Sequence, residues 1–261
     1  MTVAQSYTIE LVASITGGVC YGKENLIVKT LSIDSRSLQL PGETLFFALV
    51  GARHDGHLYI KDLYQKGVRA FVVSNSESTD LKQYPEAGFV LVHDTLIALQ
   101  NLAENHRKNF SFPVIGITGS NGKTIVKEWL YQLLNESYSI VRSPKSYNSQ
   151  VGVPLSVWNM NREANLAIFE AGISQPGEMD QLSKIIQPTY GIFTHFGDAH
   201  RENFKDEVQK LEEKIKLFSS CDSIVYCADN KLVDESLKSR YGQNRELIYW
   251  SRNQAATLMA V

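Results

Sequence analysis

The sequence of 261 residues predicts an α/β fold made of two domains. Short apolar runs alternate with helical patterns along the chain, which is typical of mostly parallel sheets. One of those runs leads through a glycine-rich turn into a helix, as in nucleotide-binding domains. The length allows one large or two modest domains, and the contents of 43% hydrophobic and 21% charged residues are ordinary for a globular protein.

The first half opens with weak signals, a helix at 9–16 that ends at Gly17-Gly18 and a strand at 26–28. Pro41-Gly42 indicates a turn. The stronger predictions that follow are strands at 45–50, 70–73 and 89–92 and helices at 56–67 and 93–109. This order indicates an α/β domain.

The best candidate linker is the polar segment 105–111, which is followed by Phe112-Pro113. Proline after a helix and before a new buried strand suits the start of a domain. We therefore predict an N-terminal domain at 1–110 and a second domain at 111–261.

The second domain is predicted to be a mostly parallel, doubly wound sheet, whose ligands bind at the carboxyl ends of its strands. Its predicted strands are 114–117, 139–142, 167–171, 190–193, 223–227 and 247–250. Its predicted helices are one after the glycine-rich turn that carries Trp129, Leu130, Leu133 and Leu134, one from about 153, and those at 178–186, 205–218 and 231–239. The pattern ends at Val261, and we expect this domain to be incomplete there.

The strongest functional signal is VIGITGSNGKTIVK, from Val114 to Lys127. A buried strand, a glycine-rich turn and a helix form the context that a phosphate loop requires, and the helix N-terminus attracts an anion. Lys123 can bridge the outer phosphates of a nucleotide, and the Thr124 hydroxyl suits Mg²⁺. The strict pattern G-x-x-x-x-G-K-[ST] would need glycine at Ile117, so this loop is a variant, and a purely structural turn is the alternative. The predicted nucleotide-binding residues are Gly119, Ser120, Asn121, Gly122, Lys123 and Thr124.

Two further side chains lie at or just past the carboxyl ends of predicted strands of the second domain. A carboxylate at Glu170, one strand from the phosphate loop, suits Mg²⁺ held directly or through water. A solvated glutamate at a strand end is an equally good interpretation. His200 follows the strand at 190–193 by a short loop that also contains His195, and a lone histidine is more often a loop hydrogen-bonding group than a ligand.

Lys214 belongs to the predicted helix at 205–218, whose apolar stripe is Val208, Leu211, Ile215 and Phe218. It is the lysine nearest that stripe, because Lys205, Lys210 and Lys216 fall farther round the helix. From the residues alone, a boundary lysine that extends its amine to solvent is the preferred interpretation.

Composition also indicates what the protein does not bind. A net charge of −2 without a basic stripe argues against nucleic acid. The N-terminus is too polar for a secretory leader or a spanning helix, so we expect a cytoplasmic protein without membrane insertion. Cys20, Cys221 and Cys227 lack metal-site spacing, which favours free thiols in a reducing compartment.

The loop TGSNGKT resembles the ATP loop of the Mur ligase family, the ATP-dependent amide-bond ligases of peptidoglycan precursor synthesis. The resemblance extends over nearly the whole chain. The motifs DSR and PGETLFFALVGARHDGH resemble the N-terminal UDP-binding domain of the MurE and MurF types. The segment EAGISQPGEMDQLSKIIQPTYGIFTHFGDAH resembles the central-domain signature, and SYNSQVGVPLSV resembles the MurF type in particular.

This resemblance implies roles for individual residues. Lys123 and Thr124 would bind the ATP phosphates and Mg²⁺, and Glu170 and His200 would be Mg²⁺ ligands. Lys214 would be the lysine that becomes carbamoylated in many members, which makes Lys123, Lys214 and His200 the implied catalytic residues.

The resemblance also implies the substrate contacts. Ser35 and Arg36 would lie near the uridine diphosphate group. Asn148 falls in the asparagine pair of the MurF type, where Ser149 replaces the second asparagine. The implied reaction is phosphorylation of a UDP-muramoyl-tripeptide carboxylate by ATP, followed by attack of D-alanyl-D-alanine on the acyl phosphate.

Family members carry a third, C-terminal domain, so we expect the chain to be a fragment that needs this domain as a partner, and a fused alanine racemase is a further expected partner. Two rival hypotheses remain. One is another ligase of the superfamily, of the MurE or folylpolyglutamate type. The other is a non-catalytic nucleotide-binding module fused to another enzyme.

Overall fold

The computed structural model describes residues 7–36, 38–52, 54–74, 83–197, 201–253 and 255–259. The chain forms two compact units, Met1–His106 and Arg107–Val261. The predicted α/β class is confirmed, with mostly parallel sheets in both units. The functional division into domains 1–110 and 111–261 stays a prediction.

The first unit is built on a five-stranded sheet. The described strands of the whole unit are β1 (Tyr7–Thr8), β2 (Val19–Gly22), β3 (Ile27–Val28), β4 (Thr30–Ser32), β5 (Thr44–Phe47), β6 (Val50–Gly51), β7 (His54–Asp55), β8 (Ala70–Val73) and β9 (Gly88–Leu91). Its described α-helices are α1 (Ile9–Thr16), α2 (Ile60–Gln65) and α3 (Thr95–Arg107). The order in the sheet is β2-β9-β8-β5-β4, with β2 antiparallel to β9 and the other neighbours parallel. β1 pairs with β3 and β6 with β7, both antiparallel.

β5 and β8 are the centre of this unit, and every residue of both strands is buried. Continuous apolar runs are expected for parallel strands that are covered on both faces. The predicted strand at 45–50 was too long. The chain leaves the sheet after Phe47, and Val50–Gly51 pairs with His54–Asp55 where a loop was expected.

The DGH motif of this unit has a structural function. A Cβ atom on Gly56 would lie 2.7 Å from Ala48 Cα, so only glycine fits there. The buried His57 ring lies between two partners, with Nδ1 2.6 Å from Asp55 Oδ1 and Nε2 accepting from Ser74 N at 3.1 Å. The motif therefore joins the start of the 3-10 helix Gly56–Tyr59 to the end of β8.

The second unit contains a seven-stranded parallel sheet. Its described strands are β10 (Val114–Thr118), β11 (Ile140–Arg142), β12 (Leu166–Glu170), β13 (Tyr190–Phe193), β14 (Ser223–Cys227), β15 (Glu246–Ser251) and β16 (Leu258–Met259). Its remaining α-helices are α4 (Lys123–Leu134), α5 (Gly152–Trp158), α6 (Glu178–Ile186), α7 (Glu207–Ile215) and α8 (Lys231–Tyr241). The strand order is β11-β12-β10-β13-β14-β15-β16. Strand order therefore reverses at β10, and the carboxyl end beside such a point is the usual ligand site.

The buried face of α4 includes only some of the apolar residues named for the predicted helix. Val126, Leu130 and Leu134 pack on the sheet. Trp129 and Leu133, which belong to the same predicted helical pattern, are 63% and 77% exposed. Val126, Leu130 and Leu134 are spaced four residues apart and form the face that contacts the sheet. The side chains of Trp129 and Leu133 lie outside this face.

The predicted helix at 205–218 is also corrected. α7 ends at Ile215 and continues as a 3-10 helix over Lys216–Ser220. Val208 is exposed, whereas Lys210, predicted to lie far from the apolar stripe, is buried. Among the described residues, no helix is long and apolar enough to span a bilayer. Cys20, Cys221 and Cys227 are free thiols.

Candidate functional site

The predicted phosphate loop connects β10 to α4 at the carboxyl edge of the parallel sheet. Gly119 has φ +143° and Gly122 has φ +85°, conformations that L side chains rarely adopt. A Cβ atom on Gly119 would also overlap Thr194 Oγ1, whereas on Gly122 its nearest neighbour would be 3.8 Å away. Both glycines therefore allow the turn, and Gly119 also allows its close approach to the segment after β13.

Hydrogen bonds to backbone carbonyl groups hold the loop against that segment. Thr194 Oγ1 donates to Asn121 O at 2.6 Å, and Ser120 N donates to His195 O at 2.6 Å. Asn121 and His195 form an isolated antiparallel bridge, and Ser120 Oγ donates to Gly197 O at 2.9 Å. The sequence did not identify Thr194 as a residue that supports the loop. His195 contacts the loop through its backbone.

Lys123 follows the loop as the first residue of α4. Its ammonium group donates to Gly119 O at 2.8 Å and to Ser120 O at 3.2 Å. Burial lowers the pKa of Lys123, and the carboxylate of Glu170 partly opposes this shift. The side chain therefore places its amine directly over the loop.

Glu170, the last residue of β12, is fully buried, so the alternative of a solvated glutamate is wrong. Its Oε2 accepts from Thr124 Oγ1 at 3.0 Å and lies 3.4 Å from Asn148 Nδ2. Its Oε1 accepts from Lys127 Nζ at 3.1 Å. Lys127 was not predicted as a site residue, although it lies one helical turn after Lys123 on the same face.

Thr124 and Glu170 form a donor set that fits Mg²⁺. Both offer oxygen, and Mg²⁺ is usually bound by one or two carboxylates together with the phosphates of a substrate. Within the described ranges no group of three or more His, Cys, Asp or Glu side chains could hold a metal ion. His200, the other predicted ligand, lies outside the described residues.

Lys214 extends from the buried face of α7 towards the same loop. Its Nζ donates to Gly119 O at 3.4 Å. Burial lowers the pKa of Lys214 to about 7, and the charges of Lys123 and Lys210 add to this effect. The preferred interpretation of Lys214 as a solvent-reaching boundary lysine is wrong, because the side chain is buried.

A cleft of about 320 Å³ lies beside these groups, with Lys123 and Lys214 in its wall together with Asn148 and Ser149. The Asn148 carbonyl accepts from Gly172 N at 2.8 Å. Ser149 Oγ accepts from Gly152 N at 3.2 Å, at the start of α5. Ser149 thus supports the helix, and the Asn148 amide is directed towards Glu170.

The predicted Ser35 and Arg36 belong to the first unit and line a separate pocket of about 450 Å³. Arg36 forms two 2.9 Å bonds to the Asp34 carboxylate, through Nε and Nη2. These hydrogen bonds from Arg36 lower the pKa of Asp34 to about 2. His54 stacks on Tyr59 in the same pocket, with ring centroids 5.4 Å apart.

Both units match families of known proteins. Residues 27–114 match the Mur ligase family, catalytic domain, and residues 117–261 match the Mur ligase middle domain. The chain belongs to the Mur ligase family. The predicted family resemblance is thereby confirmed, and the second match includes the phosphate loop, Glu170 and Lys214 of this Mur ligase chain.

Curated Mur ligases include similar proteins of greater length. The UDP-N-acetylmuramoyl-tripeptide–D-alanyl-D-alanine ligase of Treponema pallidum is 36% identical over 224 residues, which are 80% of this chain and 47% of that protein. The chain spans about half the length of the curated relatives it matches.

Solved Mur ligase structures share the fold. A MurF from Acinetobacter baumannii superposes with a TM-score of 0.86 at 22% identity, covering 100% of this chain and 56% of the other. A MurF ligase from Thermotoga maritima in complex with ADP has a TM-score of 0.71 at 26% identity, covering 87% and 51%.

Proposed function

We propose that this chain forms the part of a MurF-type ligase that binds ATP and a UDP-muramoyl-tripeptide. The observation that carries the proposal is the convergence of Lys123, Thr124 and the buried Glu170 at the N-terminus of α4. A helix N-terminus with a lysine and a hydroxyl is suited to a nucleotide phosphate chain. The names of the relatives support the same class, since the Treponema pallidum protein is a UDP-N-acetylmuramoyl-tripeptide–D-alanyl-D-alanine ligase and the Thermotoga maritima MurF structure contains ADP.

The proposed reaction has two steps. A carboxylate oxygen of the tripeptide attacks the γ-phosphorus of ATP, the bond to ADP breaks, and an acyl phosphate forms. The amine of D-alanyl-D-alanine then attacks the acyl carbon, loses a proton and expels inorganic phosphate. Lys123 and the loop N–H groups of residues 119, 121 and 122 would hold the phosphates in place and neutralise their charge.

Thr124 and Glu170 would hold Mg²⁺, with His200 as a further ligand on the strength of the family resemblance. The ion would neutralise charge on the phosphates when bound. Lys214 is proposed to become carbamoylated, because an amine with a pKa of about 7 is about half neutral at pH 7, whereas an ordinary lysine is almost fully protonated there. Its nitrogen would attack the carbon of CO₂ and release a proton, leaving an anionic carbamate.

The first unit is proposed to bind the UDP group, with Ser35 and Arg36 at its diphosphate. Arg36 is exposed and already positioned by Asp34, so its remaining N–H groups can bind an anion. Asn148 is proposed to contact substrate from the second unit. A C-terminal ligase domain is the proposed partner for amine binding, and a cytoplasmic location is proposed because ATP is consumed. The fused alanine racemase stays a prediction.

Calorimetric titration of the chain tests the proposal. We expect the ATP analogue AMP-PNP to bind in the presence of Mg²⁺, and Lys123→Ala to weaken this binding at least tenfold, which corresponds to about 1.4 kcal/mol. UDP-muramoyl-tripeptide is expected to bind more tightly than UDP-muramoyl-dipeptide or folate, which separates the MurF type from the other ligases. A chain that binds neither AMP-PNP nor the tripeptide would refute the proposal. Nucleotide binding without any tripeptide binding would favour the non-catalytic module.

A further inference from the structure

Lys127 is a buried cation next to the candidate metal site. It lies on α4 and is fully buried. Its ammonium group donates to Ser143 O at 2.8 Å and to Lys145 O, and it is 3.3 Å from Glu128 Oε1 and 3.1 Å from Glu170 Oε1. Lys127 therefore joins the helix that follows the phosphate loop to the end of β12 and to the loop after β11.

This ammonium group makes the two oxygens of Glu170 inequivalent. Oε1 accepts from Lys127, which is completely shielded from solvent. The nearest partners of Oε2 are Thr124 Oγ1 at 3.0 Å and Asn148 Nδ2 at 3.4 Å, and both side chains are partly exposed at the site. Thr124 Oγ1 is also 3.3 Å from Oε1, so a cation beside Thr124 lies near both oxygens, but Oε1 alone is already occupied by the buried ammonium group of Lys127.

The number of carboxylate oxygens available distinguishes divalent cations. Ca²⁺ takes six to eight oxygen ligands in flexible geometry and often binds both oxygens of one carboxylate. Mg²⁺ requires a compact octahedral shell, keeps several waters and is commonly bound by one or two carboxylates with substrate phosphates. A carboxylate with one oxygen engaged by an ammonium group thus suits Mg²⁺ better than Ca²⁺.

We propose that Lys127 sets the cation preference of this site by holding Oε1 of Glu170 and so restricting the carboxylate to coordination through one oxygen. Lys127 is a positioning residue, since it acts through Glu170 and does not touch the cation. The inference rests on the proposed nucleotide function, because the cation would enter with the nucleotide phosphates.

A purely structural role for Lys127 predicts a different result. If Lys127 only held the carbonyl groups of Ser143 and Lys145 in place, replacing it would weaken nucleotide binding with every cation by the same factor. Loss of its positive charge alone would likewise change the affinity for Mg²⁺ and Ca²⁺ together. Only the restriction of Glu170 changes the ratio of the two affinities.

The test compares the calorimetric affinity of the whole chain for AMP-PNP with either Mg²⁺ or Ca²⁺. The wild-type chain is expected to prefer Mg²⁺, and Lys127→Met is expected to lower this preference by about tenfold, as for other groups that orient metal ligands. Lys127→Gln is neutral but polar, so it tolerates the two carbonyl groups better and provides the same test if Lys127→Met does not fold. Circular dichroism checks the fold of each variant.

Arg107→Met is the matched control. Arg107 is also a buried cation on backbone carbonyls, with bonds of 2.9 Å to Ile186 O and 3.0 Å to Gln187 O after α6. Its removal is expected to leave the ratio of affinities within about twofold of the wild-type ratio.

The outcomes distinguish a failure of the role inferred for Lys127 from a failure of the proposed nucleotide-binding function. A wild-type chain that binds AMP-PNP, together with Lys127 variants that keep the wild-type ratio, would overturn the role of Lys127 and leave the proposed function standing. A wild-type chain that binds no AMP-PNP with either cation would overturn the proposed function and this inference with it.

Discussion

The pKa of Lys214 makes the stability of the second unit depend on pH. Burial lowers this pKa from 10.5 to about 7 in the folded protein. Between these values the unfolded chain binds more protons than the folded chain, so stability rises as the pH increases from 7 to 10. The folded state is therefore destabilised by Lys214 at neutral pH, and this effect fades in alkaline solution.

The size of the effect follows from the two pKa values. One pKa unit corresponds to about 1.4 kcal/mol, so Lys214 lowers the free energy of unfolding by ~4 kcal/mol at pH 7 and by ~1 kcal/mol at pH 10. Lys214→Met removes the titrating group and retains most of the apolar side chain. The stability difference between this variant and the wild-type chain should thus shift by ~3 kcal/mol across that range, in favour of the variant at pH 7.

Urea unfolding at several pH values measures this difference. Trp129, Trp158 and Trp250 all belong to the second unit, so tryptophan fluorescence follows the unfolding of that unit. The buffers must be free of CO₂, which would react with the neutral amine.

Lys216→Met is the control. Asp180 and Glu213 raise the pKa of Lys216, so this lysine stabilises the fold at neutral pH and its contribution is lost as the pH rises. That loss occurs only above about pH 10.5, so the stability difference between this variant and the wild-type chain should stay nearly constant from pH 7 to pH 10. Parallel curves for Lys214→Met and the wild-type chain, within about 0.5 kcal/mol, would refute the reasoning.

Three further substitutions test the site. Lys127→Met should lower the free energy of unfolding by about 3–5 kcal/mol in urea, because it leaves the Glu170 carboxylate buried without its charged partner; a loss below about 1 kcal/mol would contradict the buried pair. Gly119→Ala should abolish AMP-PNP binding in calorimetry, because the new Cβ overlaps Thr194 and the positive φ is strained. Gly122→Ala has only the conformational strain, so it should lower the free energy of unfolding in urea by about 1–2 kcal/mol and lower it less than Gly119→Ala does. An equal loss of unfolding free energy in the two alanine variants would show that contact with Thr194 is unimportant.

Secondary structure was predictable where the apolar pattern was strong and local. The bounds of α6 and β8 agree with the predicted ranges, because α6 has a clear buried stripe and β8 is apolar throughout. Short strands at the sheet edges, such as β2 and β16, were missed, since strands of two to four residues carry little periodic signal.

The site was predictable only in part. The variant phosphate loop is a local motif, so Lys123 and Thr124 could be named from the sequence. Thr194 and Lys127 could not be named, because their partners Asn121 and Glu170 lie 73 and 43 residues away from them along the chain. Lys210 shows the same limit, since helical periodicity placed it away from the apolar stripe and the fold buries it.

The lysines around the phosphate loop give the chain an uneven charge distribution. Lys123, Lys210 and Lys214 lie close to the loop, although the chain as a whole has a net charge of −2. A polyanion is therefore drawn to this edge of the second unit over roughly a Debye length, about 8 Å at physiological ionic strength. Added salt should slow the arrival of the nucleotide more than it speeds departure, so the placement of these lysines governs how quickly the site fills.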